Sequence, residues 1–390
     1  MSNIAQMSET SATVSTYIDS KTENGNSIKF TLANVNYSIA NALRRIILSD
    51  IPITAFKTFP HEENMSIFHT NTSRLNNEIL RQRLECVPVY IKDPEINLDE
   101  LEVEIHVKNT GNMIKFVTTK DFKIKDLKTD KYLADNVRDA IFPPDQITGD
   151  HIIFCRLRPK ISNEVDGEEI HITSKLSIQT AADSGAYNSA SACSYSFTPD
   201  KMKQDTEWQK KLTTLTEEEK DPENLMFVEQ DWRNHNSQRY FKVNYFDFII
   251  ESIGVYSGYE LVEKACEIMI NKLQTLYERA GTSNIEILQA ETTMPWSLDI
   301  KLENESYTLG KVVEFVMNKK FYTEGKLLTY IGFRQEHPHD TDSFIRVAFD
   351  PSSADDTPSF DKFKTACFSL IQSTCTDSIG IFREIQSEFN

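Results

Sequence analysis

The chain has 390 residues, enough for two or three domains that each bury a core of their own. Apolar residues make up 39% of it, and no stretch approaches the roughly 18 consecutive apolar residues of a membrane span. The formal net charge is −17, which argues against attraction to nucleic acid through clustered Lys and Arg and points to protein partners.

The N-terminal stretch, residues 1–20, is rich in Ser and Thr without an apolar centre, so it is expected to be a mobile arm rather than a secretory signal. Cys86, Cys155, Cys193, Cys266, Cys367 and Cys375 form no C-x-x-C pair and have no histidine at zinc-finger spacing. A reducing, intracellular compartment fits these thiols, and no structural zinc is expected.

Ser27–Leu32 reads as a short strand. A polar turn follows, and then a helix with Ile39, Leu43, Ile46 and Ile47 at i, i+4, i+7 and i+8, hence on one stripe. Asn36 is placed to cap it, and Asp50-Ile51-Pro52 to stop it. Residues 53–59 and 65–68 read as short strands, and 78–84 as a short helix ending near Pro88. From Leu101 to Thr180 the period changes to two, as in Val103-Glu-Ile-His-Val107 and Ile170-His-Ile-Thr-Ser-Lys-Leu-Ser-Ile178, which predicts a β-rich insert. The acidic stretch Thr216–Asn224 reads as a solvated loop.

Arg239–Ile253 is dense in aromatic and β-branched residues and is the strongest strand signal in the chain. A long helix follows, carrying Leu261, Val262, Cys266, Met269, Leu273 and Leu276 and stopped at Gly281. Residues 281–295 read as a join. Beyond it come a strand (296–302), a helix with Leu309, Val312, Val313, Val316 and Met317 on one side, strands over 327–334 and 344–349, a polar stretch to Ser359, and a final helix. That last helix bears Phe363, Cys367, Leu370, Ile371, Ile381, Phe382 and Ile385.

One fixed offset along the chain carries Leu32 onto Leu302, Asn34 onto Asn304, Tyr37 onto Tyr307, Ile39 onto Leu309, Leu43 onto Val313 and Ile46 onto Val316. Lys264-Ala-Cys-Glu-Ile-Met-Ile270 likewise resembles Thr365-Ala-Cys-Phe-Ser-Leu-Ile371. The chain therefore reads as two versions of one strand-and-helix design. Each apolar stripe needs a partner, so the two halves are expected to close on each other as a helical bundle flanked by sheets. The expected core of that dimerisation is Ile39, Leu43, Ile46, Ile47, Met269, Leu273, Leu309, Val313, Val316, Leu370 and Ile371.

Asn41-Ala-Leu-Arg-Arg-Ile-Ile-Leu48 with Asp50-Ile-Pro52, and the later stretch from Asn71 through Glu78 and Arg83-Leu84 to Pro88, resemble the alpha-like assembly subunits of multisubunit DNA-directed RNA polymerases. The first half resembles the third subunit of eukaryotic polymerase II. Tyr307-Thr-Leu-Gly310 and Glu336-His-Pro338 resemble its smaller partner, the eleventh subunit. A fused arrangement resembles that of some large double-stranded DNA viruses. The resemblance implies contact with the second-largest polymerase subunit at Asn41, Arg44 and Arg45, against the plainer reading of a solvated helix face, and partner contact at Glu78 and Arg83, with which the plainer reading of an internal Glu78–Arg83 ion pair is compatible. The chain departs from the common pattern at Gln82 and Glu85, where many relatives have His and Gly.

No carboxylate triplet suited to a two-metal polymerase site is present. Asp340 and Asp342 beside His337 and His339 read as a polar turn rather than a metal site. Many cellular third subunits carry a cysteine-rich zinc loop in the insert, but here that region holds only Cys155 and Cys193.

The expected protein is thus an α+β, non-catalytic scaffold with no cofactor of its own. It would hold the two largest polymerase subunits together, join small assembly subunits, and meet DNA only through the complex, with no membrane contact. The expected divisions are the arm 1–20, a first dimerisation domain over 21–95 and 235–281, the insert 96–234, a linker 282–293 and a second dimerisation domain 294–390. If the chain is viral, it would work in the host cytoplasm or the virion, or else in the nucleus. The alternatives are a stand-alone enzyme with a site in the insert, and a DNA-binding regulator, which the charge opposes.

Overall fold

A computed structural model describes residues 17–92, 96–162, 164, 166–350 and 359–389. Most of the expected N-terminal arm, and the polar stretch before the last helix, lie outside the described residues. The chain divides into two compact units. Unit 1 takes residues up to Ile46, then Ala192–Ile250, then Val262 onward; unit 2 takes Ile47–Ser191 and Glu251–Leu261.

Unit 1 begins with the antiparallel strands β1 (Ile18–Asn24) and β2 (Ser27–Leu32), joined by a turn at Gly25, whose φ of 60° favours a residue without a Cβ. Helix α1 (Tyr37–Ser49) follows and runs just past the division between the units. Asn36 caps it as expected: its Oδ1 accepts from the Ser38 amide at 2.9 Å and the Ser38 hydroxyl at 2.7 Å.

Unit 2 contains β3 (Ile53–Ala55), β4 (Ser66–Asn71), helix α2 (Asn77–Glu85), β5 (Leu101–Lys108), β6 (Lys115–Thr118), β7 (Phe122–Asp126), β8 (Lys131–Tyr132), helix α3 (Asp135–Ile141), β9 (Ile153–Leu157), β10 (Glu169–Lys175) and β11 (Ser177–Gln179). Five of these strands form an antiparallel sheet in the order β4-β10-β5-β7-β8. β3 pairs with β11, and β6 with β9. The alternation read in the sequence is carried out in space: Val103, Ile105 and Val107 of β5, with Ile170 and Ile172 of β10, face a core that also holds Leu80 and Leu84 of α2. Phe122 meets Phe142 and Phe154 edge-on at 5.3 and 5.8 Å in that core.

Unit 1 resumes with β12 (Ala190–Pro199), helices α4 (Lys201–Thr214) and α5 (Pro222–Asn234), β13 (Phe241–Ser252) and helix α6 (Gly258–Gly281). It closes with β14 (Ile287–Gln289), β15 (Ser297–Leu302), helix α7 (Tyr307–Met317) continued by a π-helical turn over Asn318–Glu324, β16 (Leu328–Arg334), β17 (Ser343–Phe349) and helix α8 (Phe360–Ser387). Its two four-stranded sheets have the orders β1-β2-β13-β12 and β14-β15-β17-β16.

These orders correspond strand for strand, and so do the helices: α1 follows β2 as α7 follows β15, and α6 follows β13 as α8 follows β17. The strand-to-helix turn is built alike in both, with Asn34 at φ 59° and Asn304 at φ 55°, a left-handed conformation that Asn tolerates better than most residues. The matched Leu32 and Leu302 are buried, while the matched Tyr37 and Tyr307 are exposed. The fixed-offset repeat is thus a repeat of structure.

Three divisions differ from expectation. Residues 47–92, expected in the first dimerisation domain, belong to the β-rich unit, where β3 and β4 pair with β11 and β10. Residues 192–234 belong to unit 1, because β12 lies in its first sheet. The expected linker 282–293 carries β14, which pairs with β15. Within the stretch expected as an acidic loop, α5 begins at Pro222. Its Trp232 is buried, with its ring 5.3 Å from Trp208 of α4.

Candidate docking and dimerisation sites

Every residue of the expected dimerisation core is buried: Ile39, Leu43, Ile46 and Ile47 of α1, Met269 and Leu273 of α6, Leu309, Val313 and Val316 of α7, and Leu370 and Ile371 of α8. Ile47 lies just past the division; the others belong to unit 1. Helices α7 and α8 pack on each other. The Phe30 ring of β2 stacks on Phe248 of β13 and meets Phe389, just beyond α8, edge-on, both at 5.0 Å. Lys320 pairs with Asp377 of α8 at 2.6 Å, and Lys272 of α6 with Glu305 before α7 at 3.3 Å. Burying a side chain such as Leu43 contributes about 1.5–3 kcal/mol, so this core, rather than its rim of ion pairs, holds the unit together.

Gly310 of α7 has a packing reason. A Cβ there would lie 2.0 Å from the Phe333 ring of β16. The absence of a side chain lets strand and helix approach, with Tyr307 edge-on to Phe333 at 4.8 Å.

The paired arginines of α1 have different surroundings. Arg44 Nε and Nη2 donate to Asn41 Oδ1 at 3.1 and 2.9 Å, so Asn41 fixes the guanidinium from one turn back on the same helix. Cys193 of β12 lies in the field of Arg44, but burial dominates and pushes its thiol up to about 12. Arg45 Nε donates instead to Thr308 Oγ1 of α7 at 2.7 Å. Arg45 is therefore part of the contact between the two repeats, and the plainer reading of a solvated helix face does not hold for it.

Glu78 and Arg83 lie on α2, in unit 2, whereas Asn41, Arg44 and Arg45 lie in unit 1. Asn76 caps α2, its Oδ1 accepting from the Ile79 amide at 2.9 Å. Five positions separate Glu78 from Arg83, which puts them on different sides of the helix. Arg83 accordingly donates to the Phe154 and Ile153 carbonyls of β9 at 2.6 and 2.9 Å, rather than to Glu78, which is exposed. The internal Glu78–Arg83 pair is replaced by this anchoring of α2 to β9.

Glu85, noted only as a departure from pattern, is a buried carboxylate. It accepts from the Thr58 amide at 3.1 Å, the Thr58 hydroxyl at 2.9 Å and the Tyr187 hydroxyl at 3.1 Å. Burial first, then the Glu85 charge, raises the Tyr187 phenol above its ordinary value. Asp299 of β15 is a second buried carboxylate. Arg346 of β17 grips it with two bonds of 2.7 Å, and Arg334 of β16 adds a third at 3.0 Å. Burial pushes its pKa up, but the two guanidinium groups outweigh burial and hold it below the usual range.

Glu336-His337-Pro338 forms the turn between β16 and β17, where the His337 amide donates to Asp340 Oδ2 at 2.9 Å. No described helix is long and apolar enough to cross a membrane.

Residues 29–273 match the family model described as the RNA polymerase Rpb3/Rpb11 dimerisation domain. The chain is 24% identical over 301 residues to subunit 3B of DNA-directed RNA polymerases IV and V of Arabidopsis thaliana, covering 64% of this chain and 86% of that protein. It is 41% identical over 78 residues to DNA-directed RNA polymerase subunit Rpo3 of Pyrococcus furiosus, covering 20% of this chain and 27% of that one. With DNA-directed RNA polymerase II subunit RPB3 of Schizosaccharomyces pombe it shares 32% identity over 85 residues, 22% of this chain and 25% of that protein. The matched segments thus span about a quarter of the archaeal and yeast relatives and most of the plant one. The family match takes in the strand, turn and capped helix that carry Asn41, Arg44 and Arg45, and this chain belongs to the RNA polymerase Rpb3/Rpb11 dimerisation-domain family.

Proposed function

We propose that the chain is a non-catalytic assembly scaffold of a multisubunit DNA-directed RNA polymerase, with a third-subunit-like half and an eleventh-subunit-like half fused in one polypeptide. The observation that carries this reading is the repeated design within unit 1, two sheets of corresponding strand order whose turns both place Asn in the left-handed region. A dimerisation domain needs two such surfaces, and one chain here holds both, with Arg45 of the first bonded to Thr308 of the second. Fusion would replace an encounter between chains by a high effective concentration and one-to-one stoichiometry.

In this reading the scaffold docks the two largest catalytic subunits, chiefly the second largest, and meets small assembly subunits. Arg44 is the leading contact residue, because Asn41 holds its guanidinium ready and little ordering is left to be done on binding. Arg45 contributes alongside its internal bond, and Glu78 and Arg83 offer contacts from unit 2. The reading requires no cofactor, and DNA is met only through the complex. The fused form fits a large double-stranded DNA virus, with transcription in the host cytoplasm, virion or nucleus.

Affinity purification of the tagged chain from producing cells, followed by mass spectrometry, is expected to recover the two largest polymerase subunits. Arg44→Ala, checked for folding by circular dichroism, is expected to weaken capture of the second-largest subunit by on the order of 2 kcal/mol, as for an interface arginine. Lys319→Ala is the control, because Lys320 pairs with Asp377. Wild-type recovery by the arginine variant would remove Arg44 from the interface. A wild-type preparation that brings down no polymerase subunit, or that turns over a substrate or binds DNA alone, would overturn the scaffold reading.

A further inference from the structure

The five-stranded sheet of unit 2 carries a row of imidazoles that the assembly role does not use. Strands β4, β10 and β5 are neighbours, and they set His69, His171 and His106 side by side. His171 stands directly across from His106 in the antiparallel register. Its ring centroid lies 4.3 Å from that of His106 and 4.5 Å from that of His69. Glu104 precedes His106 by two positions on β5 and therefore shares its face. Its Oε1 lies 3.0 Å from His171 Nε2.

The other Glu104 oxygen accepts a hydrogen bond from the Tyr132 hydroxyl of β8. On the other side Glu169 Oε1 lies 3.1 Å from His106 Nε2, and Lys108 pairs with Asp166 and Glu169. Donor atoms of Glu104, His106 and His171 all lie within 4.8 Å of one another, the one such cluster among the described residues.

We propose that this sheet face binds a divalent metal ion of the zinc class, with Glu104, His106 and His171 as ligands and water completing the shell. Two imidazoles and one carboxylate suit zinc and its first-row neighbours, whereas magnesium and calcium take oxygen ligands. Tetrahedral ligands about 2.0–2.2 Å from zinc lie roughly 3.4 Å from one another. The Glu104–His171 pair stands close to that spacing already. His106, with 48% of its side chain exposed, has room to swing in. The Tyr132 hydroxyl supplies the outer hydrogen bond that orients a ligating carboxylate. A bound ion would tie β5 to β10 and, through Tyr132, to β8.

The test uses the tag-free full chain, stripped with a chelator and titrated first with Co2+ alone and then with Zn2+. One equivalent of Co2+ is expected, with visible absorption bands of a low-coordinate nitrogen and oxygen site, displaced by Zn2+. Tyr132→Phe keeps the ring and loses the hydroxyl, and should weaken binding about 10- to 100-fold. His106→Ala and His171→Ala should weaken it more, while His337→Ala in unit 1 should not change it. Circular dichroism without metal establishes that each variant is folded, and His106→Ala, at an exposed position, is the one least exposed to misfolding. Stoichiometric binding that survives loss of both His106 and His171, an equal loss in His337→Ala, or no Co2+ uptake by the wild-type chain at micromolar metal would each overturn the proposal.

Discussion

Two arginines next to each other in the chain act through different partners, and a pair of melts separates them. Arg45→Ala removes a charged donor from Thr308, itself buried, and should lower stability by about 1.5–3 kcal/mol. Arg44→Ala loses two bonds to Asn41 on its own helix and should stay within about 0.5 kcal/mol. The reverse order in thermal unfolding would remove Arg45 from the contact between the repeats. Asp299 gives a pH signature. Its folded pKa is depressed, so its contribution is fully present above the unfolded value of about 4 and is lost as pH falls through the lower folded value. Asp299→Asn should therefore cost roughly 3 kcal/mol at neutral pH, with the gap to wild type narrowing below about pH 4 in guanidinium titrations. A gap independent of pH would show that lost shape, not lost charge, is responsible.

At the scale of elements, α7 tests whether packing or helix propensity governs. On propensity alone Gly310→Ala should stabilise the helix by about 0.5–1 kcal/mol. The Phe333 ring occupies the space the methyl would need, and overpacking costs typically about 1–3 kcal/mol, so a net loss is expected in denaturant unfolding. A gain would mean that β16 yields easily. Leu43→Asp and Val313→Asp, at matched positions of α1 and α7, should each cost several kcal/mol, about the scale of an unpaired buried charge. Similar losses at both would fit the equivalence of the two helices, and an unchanged melting temperature in either would count against a shared core.

For the whole molecule, the proposed fusion predicts that the covalent join is dispensable for association. A protease site placed at Thr282–Ser283, between α6 and β14, should yield two fragments that still elute together at the size of the intact chain. Mixed as separate chains, they should associate in a concentration-dependent manner, because cleavage removes effective concentration and leaves the buried core in place. Separation of the fragments at micromolar concentration would show that the two repeats depend on the join.

The one-dimensional pattern was sufficient wherever a local period or a matched repeat carries the information. Helices α1, α6, α7 and α8, the strong strand at β13, the Asn36 cap and the correspondence of Asn34 with Asn304 were all legible, because stripe spacing, capping and tight turns are properties of a few consecutive residues. Helices α4 and α5 were not, since polar residues surround Trp208 and Trp232 and their stripe becomes visible only when the two rings meet. The unit boundary near Ile47, the place of β14 in a sheet, the bond from Arg45 to Thr308 and the histidine row on β4, β10 and β5 were decided by tertiary structure. Each depends on which distant strands and helices pair and in what register, and register juxtaposes residues such as Glu104 and His171 that have no local signal in common.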